Sequence, residues 1–234
     1  MATTIGETGA DFLIFNLKFG LPVTSYIMGA LLAAALLIQI FTKKYVPWIY
    51  WTAVVLISIV GTLITDNLVD NLGVSLEITT ILFSLALMAT FITWYISQKT
   101  LSIHTIYTVK RELFYWAAIL FTFALGTAAG DLAAESWRLG YATSGMIFAS
   151  LIGVVVISYY MFKANAVVAF WIAYILTRPL GASFGDYLSQ PHTNGGLGLG
   201  TINTSGTFLM TILGLVIYLS VSRKAIQVAE INRD

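Results

Sequence analysis

Residues 115–135 read YWAAILFTFALGTAAGDLAAE: an aromatic pair, a long uncharged run, then Asp131 and Glu135 four apart. No residue between Glu112 and Asp131 is charged, and a run of that length and composition reads as a transmembrane helix. The whole 234-residue chain follows suit. It is 58% hydrophobic and only 10% charged, against about 25% charged residues in an ordinary soluble domain, and its mean hydropathy is +0.86. A formal net charge of +1 without a basic, aromatic-rich cluster argues against a nucleic-acid partner. With no cysteine there are no disulfides, thiolate metal sites, iron–sulfur clusters or cysteine nucleophiles. His104 and His192 stand far apart in sequence, which disfavours zinc or haem.

Apolar windows place spans at Leu21–Thr42, Pro47–Val69, Val74–Ser97, Glu112–Glu135, Leu139–Phe162, Ala166–Leu188 and Asn203–Ser222, after a shorter, less apolar segment at Thr3–Phe19. The fold class expected is all-α integral membrane, with eight transmembrane segments in a single polytopic domain. Glu7 and Asp11 interrupt any signal-peptide core. Connections after the even segments and the 223–234 tail hold Lys43, Lys44, Lys99, Lys110, Arg111, Lys163, Arg223, Lys224 and Arg233, whereas those after the odd segments hold only Lys18 and Arg138. This positive-inside asymmetry puts both termini, and the tail, on the cytoplasmic side. Trp48, Tyr50, Trp51, Tyr115 and Trp116 read as an aromatic belt at that face.

The stretch at 115–135 is repeated. Trp51, Trp116 and Trp171 stand at one fixed distance before an acid (Asp66, Asp131, Asp186); Gly61, Gly126 and Gly181 precede that acid by five; Asp70, Glu135 and Gln190 follow it by four. The N-terminus fits the frame with Gly6-Glu7 in the place of Gly130-Asp131, Asp11 in that of Glu135, and Thr3 matching Thr62 and Thr127. Glu7, Asp66, Asp131 and Asp186 then mark the period of the repeat. The Trp of this first copy would fall before Met1, so the first helix is expected to be short or truncated at its cytoplasmic end. Copies at about 1–45, 46–98, 112–163 and 165–222 each contain two spans, which makes them parallel repeats with every acid end on the non-cytoplasmic side.

These residues resemble bacterial membrane proteins built from a duplicated repeat of unknown function whose hallmark is a Thr-x-Gly-Asp-like stretch, here Thr4-Ile-Gly-Glu7, Gly126-Thr-Ala-Ala-Gly-Asp131 and Gly181-Ala-Ser-Phe-Gly-Asp186. The resemblance spans essentially the whole chain and implies the fold and a bacterial inner-membrane location, but no mechanism.

Seven acids, Glu7, Asp11, Asp66, Asp70, Asp131, Glu135 and Asp186, occupy the repeated positions. Carboxylates spaced four apart share a helix face, and neighbouring carboxylates at reduced dielectric take up a proton or a cation. Hydroxyl pairs open the even helices: Thr24-Ser25, Thr79-Thr80, Thr143-Ser144 and Thr204-Ser205. They are expected either to complete a hard oxygen site for H⁺, Na⁺, Mg²⁺, Ca²⁺ or Mn²⁺ or to cap their helices. Arg178, before Pro179 near mid-membrane, costs about 2.5–3.5 kcal/mol to insert. It is therefore expected to face inward as a gate or counter-charge, with Glu77 as a candidate partner. The Gly195–Gly200 run lacks the preceding strand of a phosphate loop and reads as a flexible connection, and Thr100–Glu112 as a cytoplasmic connection with a short interfacial helix. No nucleophile–base pair or organic-cofactor motif points to an enzyme. Two functions stand: a small secondary transporter or ion-translocating protein, with lipid and a small cation or proton as partners, or a structural or accessory subunit. Self-association and a larger membrane complex are both open.

Overall fold

The computed structural model describes residues 1–42 and 45–231, and of 223–231 the backbone only. Lys43, Lys44 and Arg233, and the side chains of Arg223 and Lys224, all used for orientation, lie outside the described residues. Among the described residues eight α-helices follow in order: α1 (Ala2–Asp11), α2 (Leu21–Phe41), α3 (Pro47–Asp66), α4 (Leu76–Gln98), α5 (Val109–Asp131), α6 (Tyr141–Phe162), α7 (Ala166–Ser189) and α8 (Gly200–Ile231). Seven, all but α1, are long and apolar enough to cross a membrane. The ten residues of α1, about 15 Å of helix, do not reach that length, in keeping with the short first segment expected from the sequence.

The odd helices form a closed inner ring: α1 packs on α3, α3 on α5, α5 on α7, and α7 back on α1. Each even helix lies outside, mainly against the odd helix of the next repeat: α2 on α3, α4 on α5, α6 on α7, α8 on α1. Burial follows these positions. The most apolar stretches of α3 and α5 are 61% buried, against 17% for α2 and α4 and none for α6. The outer helices therefore expose apolar faces, a surface suited to a lipid solvent, where a soluble protein would expose charge.

Close approach within the ring depends on one glycine per repeat. A Cβ on Gly6 would stand 2.8 Å from the Ser58 backbone, one on Gly61 2.6 Å from the Phe123 Cβ, and one on Gly181 2.7 Å from the Thr3 Cβ; Gly126 is pressed against Arg178 in the same way. Each of these glycines lies five residues before an aspartate, and each meets the residue eight before the next aspartate: Ser58, Phe123, Arg178 and Thr3 around the ring.

This cycle corrects the register of the first repeat. Asp11, not Glu7, is the counterpart of Asp66, Asp131 and Asp186. The step from Asp11 to Asp66 then equals that from Asp131 to Asp186, and Glu7 falls in line with Thr62 and Thr127. The helix ends agree: a π-helical turn follows Asp11, Asp66 and Asp131 directly, at Phe12–Asn16, Asn67–Asn71 and Leu132–Ser136.

Two connections differ from expectation. Thr100–Glu112 holds a single 3-10 turn at Ile103–Thr105 rather than an interfacial helix, tucked under the ring with Leu101, Ile103 and Ile106 against the core. The glycine run is tied to the end of α7 by Leu197 N–H to Tyr187 O (2.7 Å), Gly198 N–H to Gln190 O (2.8 Å) and Leu199 N–H to Leu188 O (3.0 Å), so it is a compact turn rather than a loose loop.

Candidate functional site

The two ends of the inner ring are chemically opposite. At one, the repeat acids converge on a polar cavity of about 160 Å³ lined by Glu7, Asp11, Asp66, Asp70, Asp131, Glu135 and Asp186, with Thr65 and Gln190. All seven acids singled out by the repeat thus meet at one place. They do so because each inner helix carries its aspartate one turn beyond the glycine that draws it against its neighbour.

Glu7 and Asp186 are buried, at 7% and 6% exposure, whereas Asp70 and Glu135 stand at the exposed rim, the latter accepting a hydrogen bond from the Tyr141 hydroxyl (3.0 Å). Glu7 reaches across the ring. Its Oε2 accepts from Thr62 of α3 (3.2 Å) and Thr127 of α5 (3.0 Å), whose hydroxyls also meet each other at 3.0 Å. One carboxylate oxygen from each of Glu7, Asp131 and Asp186 lies within 4.8 Å of the other two. An ion bound at about 2.0–2.6 Å holds its ligand oxygens roughly 3–5 Å apart, so this trio matches the span of a hard-cation site. Three carboxylates this close repel one another, by about 3–4 kcal/mol per ionised pair at an effective dielectric near 20. A proton or cation among them relieves that repulsion.

The hydroxyl pairs do not belong to this site. None of Thr24, Ser25, Thr79, Thr80, Thr143, Ser144, Thr204 and Ser205 lines the acid cavity. Thr24, Thr79, Ser144 and Thr204 are buried, on even helices that pack against the following odd helix. Ser25 accepts from Asn67 Nδ2 (2.7 Å) and Ser205 donates to Thr8 (2.6 Å). Nor do they cap α2, α4 and α6, whose N-cap residues are Gly20, Ser75 and Gly140. Position in the repeat singled out these hydroxyls, but the start of an even helix faces the neighbouring repeat's odd helix rather than the axis. The hydroxyls that do serve the acids, Thr62 and Thr127, were visible as the residues aligned with Glu7 once Asp11 is set beside Asp66.

The opposite end is closed by aromatic side chains. Trp116 and Trp171 are each 4% exposed, in one core with Trp94, Phe123 and Ile57. The Tyr50 and Tyr115 hydroxyls bond each other at 2.6 Å, and Trp171 Nε1–H donates to Leu101 O (2.9 Å). Of the expected aromatic belt only Trp48 faces outward, at 59% exposure; Tyr50, Tyr115 and Trp116 point into the ring because the repeat places them on its inner helices. A larger cavity of about 900 Å³ lies below this plug, lined by residues including Gln39, His104, Glu112 and Tyr115.

Arg178 lies between the two ends. Its guanidinium sits over the Phe123 ring (3.9 Å) and the Tyr174 ring (4.1 Å), and Nη1–H donates to Thr3 Oγ1 (3.4 Å). Glu77 is not its partner: it is exposed, in the first turn of α4. Arg178 is two turns, about 12 Å of helix, from Asp186, so it does not touch the acid cavity.

The model of a Repeat of Unknown Function (DUF347) matches the chain four times, at residues 1–45, 49–100, 114–165 and 169–225, and the chain belongs to that family. The first three copies end at one and the same distance past Asp11, Asp66 and Asp131, the register that the glycine contacts define. No curated protein and no solved structure matches the chain.

Proposed function

We propose, on the premise of this four-repeat membership, that the chain is a small secondary transporter that binds and moves a proton or a hard cation. The observation that carries this reading is the convergence of Glu7, Asp131 and Asp186 from three different inner helices, with one oxygen of each within 4.8 Å of the others. Carboxylates at a membrane helix's inner face are costly to keep unless they serve a ligand or a partner, and among the described residues no basic side chain lines their cavity. Thr62 and Thr127 orient the Glu7 carboxylate, and Asp11, Asp66, Asp70 and Glu135 form an acidic entrance that concentrates cations.

The charge asymmetry of the connections supports a reading in which the acid end faces the non-cytoplasmic side of a bacterial inner membrane and the aromatic plug faces the cytoplasm. The ion then enters from outside and is held above a closed cytoplasmic half. Sodium, magnesium, calcium and manganese all suit an all-oxygen donor set. The competing reading is an accessory subunit whose acids only terminate helices. Proteoliposomes separate the two. Flux of H⁺, Na⁺ or a divalent cation is expected in the wild type and lost in Asp131→Asn combined with Asp186→Asn. Absence of any such flux, or flux unaffected by the substitutions, sinks the transport reading.

A further inference from the structure

We propose that the cavity of about 900 Å³ beneath the aromatic plug binds an organic ammonium ion that carries N–H donors and an aromatic body. This site lies at the end of the ring opposite the acid cavity and does not rest on the transport reading. Two departures from the repeat mark it. One turn before Trp51, Trp116 and Trp171 stand Pro47, Glu112 and Val167, so only α5 carries a charge there. At matching distances after Asp11, Asp66 and Asp131 stand Gln39, Trp94 and Tyr159, so among these only α2 carries an amide. Glu112 and Gln39 line the same cavity. Gln39 is 8% exposed, and its Nε2–H donates to Glu112 Oε1 (3.2 Å), which also accepts from Trp116 Nε1–H (3.4 Å).

These bonds leave acceptors, not donors, unmet. Gln39 Oε1 is buried with no partner, which is rare for a buried polar atom, and both bonds to Glu112 fall on one of its two oxygens. Among the described residues no lysine or arginine lines the cavity. An ammonium group meets both needs, with N–H donors for the amide oxygen and a positive charge for the carboxylate. The walls suit the rest of such a ligand. The rings of Tyr45 and Tyr50 lie 5.5 Å apart and those of Tyr50 and Trp116 5.6 Å apart, centroid to centroid, and all three residues line the cavity. Aromatic faces attract a cation and pack against an aryl body, and the volume is that of an organic ligand's pocket. An inorganic ion would leave most of it unfilled, an anion would meet Glu112, and a quaternary ammonium would bring no N–H to Gln39.

The test uses the full chain in nanodiscs of zwitterionic lipid, titrated calorimetrically with 2-phenylethylamine, with 2-phenylethanol as the uncharged control. One saturable amine site is expected, with the alcohol showing none. Glu112→Gln keeps an oxygen for Gln39 and Trp116 but removes the charge, and should weaken the amine at least tenfold. So should Gln39→Leu, which decides the matter if the first variant does not yield monodisperse protein. Asp131→Asn combined with Asp186→Asn should leave the amine affinity unchanged, because those carboxylates belong to the other cavity. No saturable amine binding to the wild type, equal saturable binding of the alcohol, wild-type affinity in a folded Glu112→Gln or Gln39→Leu protein, or loss of the amine site from the folded doubly substituted protein overturns the proposal.

Discussion

The same four inner helices build two unlike ends. At the acid end glycines meet small residues of the neighbouring helix, Gly130 against Ala182 and Gly185 against Thr4, and the cavity there is lined by carboxylates. At the other end the same repeats supply Trp51, Trp116 and Trp171, and the axis is filled. The contrast teaches how a repeat of one helix pair separates an acid-lined cavity from an aromatic closure along its length. Small residues bring backbones together and leave only polar side chains to point inward, whereas indoles pack the axis and leave no room for an ion.

The two ends should therefore fail differently. The largest effect is expected from Trp171→Ala, which removes an indole packed edge-to-face with Phe91 (4.8 Å between ring centroids) and Trp94 (5.8 Å). A cavity of that size costs about 3–5 kcal/mol, measured as lowered resistance to unfolding in denaturing detergent. At the acid end the damaging change runs the other way. Gly61→Leu pushes a side chain into Phe123 and the Ala124 backbone and should cost about 1–3 kcal/mol by overpacking, in the same assay. The smallest effect on stability, and the most specific, is expected of Thr127→Val. It keeps the shape and removes one hydroxyl from Glu7, so Mn²⁺ affinity should fall about tenfold, the equivalent of about 1.4 kcal/mol for a hydrogen bond to a charged group, as read by spin-resonance titration. Equal losses of Mn²⁺ affinity and stability in Thr127→Val would show that Thr127 serves packing alone.

Much of this architecture was legible from hydropathy and repetition. The seven long helices fall close to their apolar windows, and the seven acids that the repeat singled out meet in one cavity. The register of the first copy misled because Gly6-Glu7 imitates Gly130-Asp131. The spacing of five between Gly6 and Asp11, shared by Gly61 and Asp66, was the available signal, and it acquires meaning only when the glycine is seen pressed against the next helix. The pairing of even helices with the following repeat was not legible. Helices that face lipid and protein alike with apolar side chains carry no polar stripe to say which side is which. The inward turn of Tyr50 and Trp116 was hidden for a related reason: an aromatic residue near a span end suits the membrane interface and a buried plug equally well.

The most direct measurement of the central claim is anomalous diffraction from crystals of the full chain soaked in Mn²⁺. One peak is expected among the Glu7, Asp131 and Asp186 carboxylates, about 2.0–2.6 Å from an oxygen of each, and absent from the doubly substituted Asp131→Asn, Asp186→Asn protein. Manganese found only at the exposed rim, beside Asp70 or Glu135, or no ion at the acid end of the wild type, would contradict a hard-cation site there.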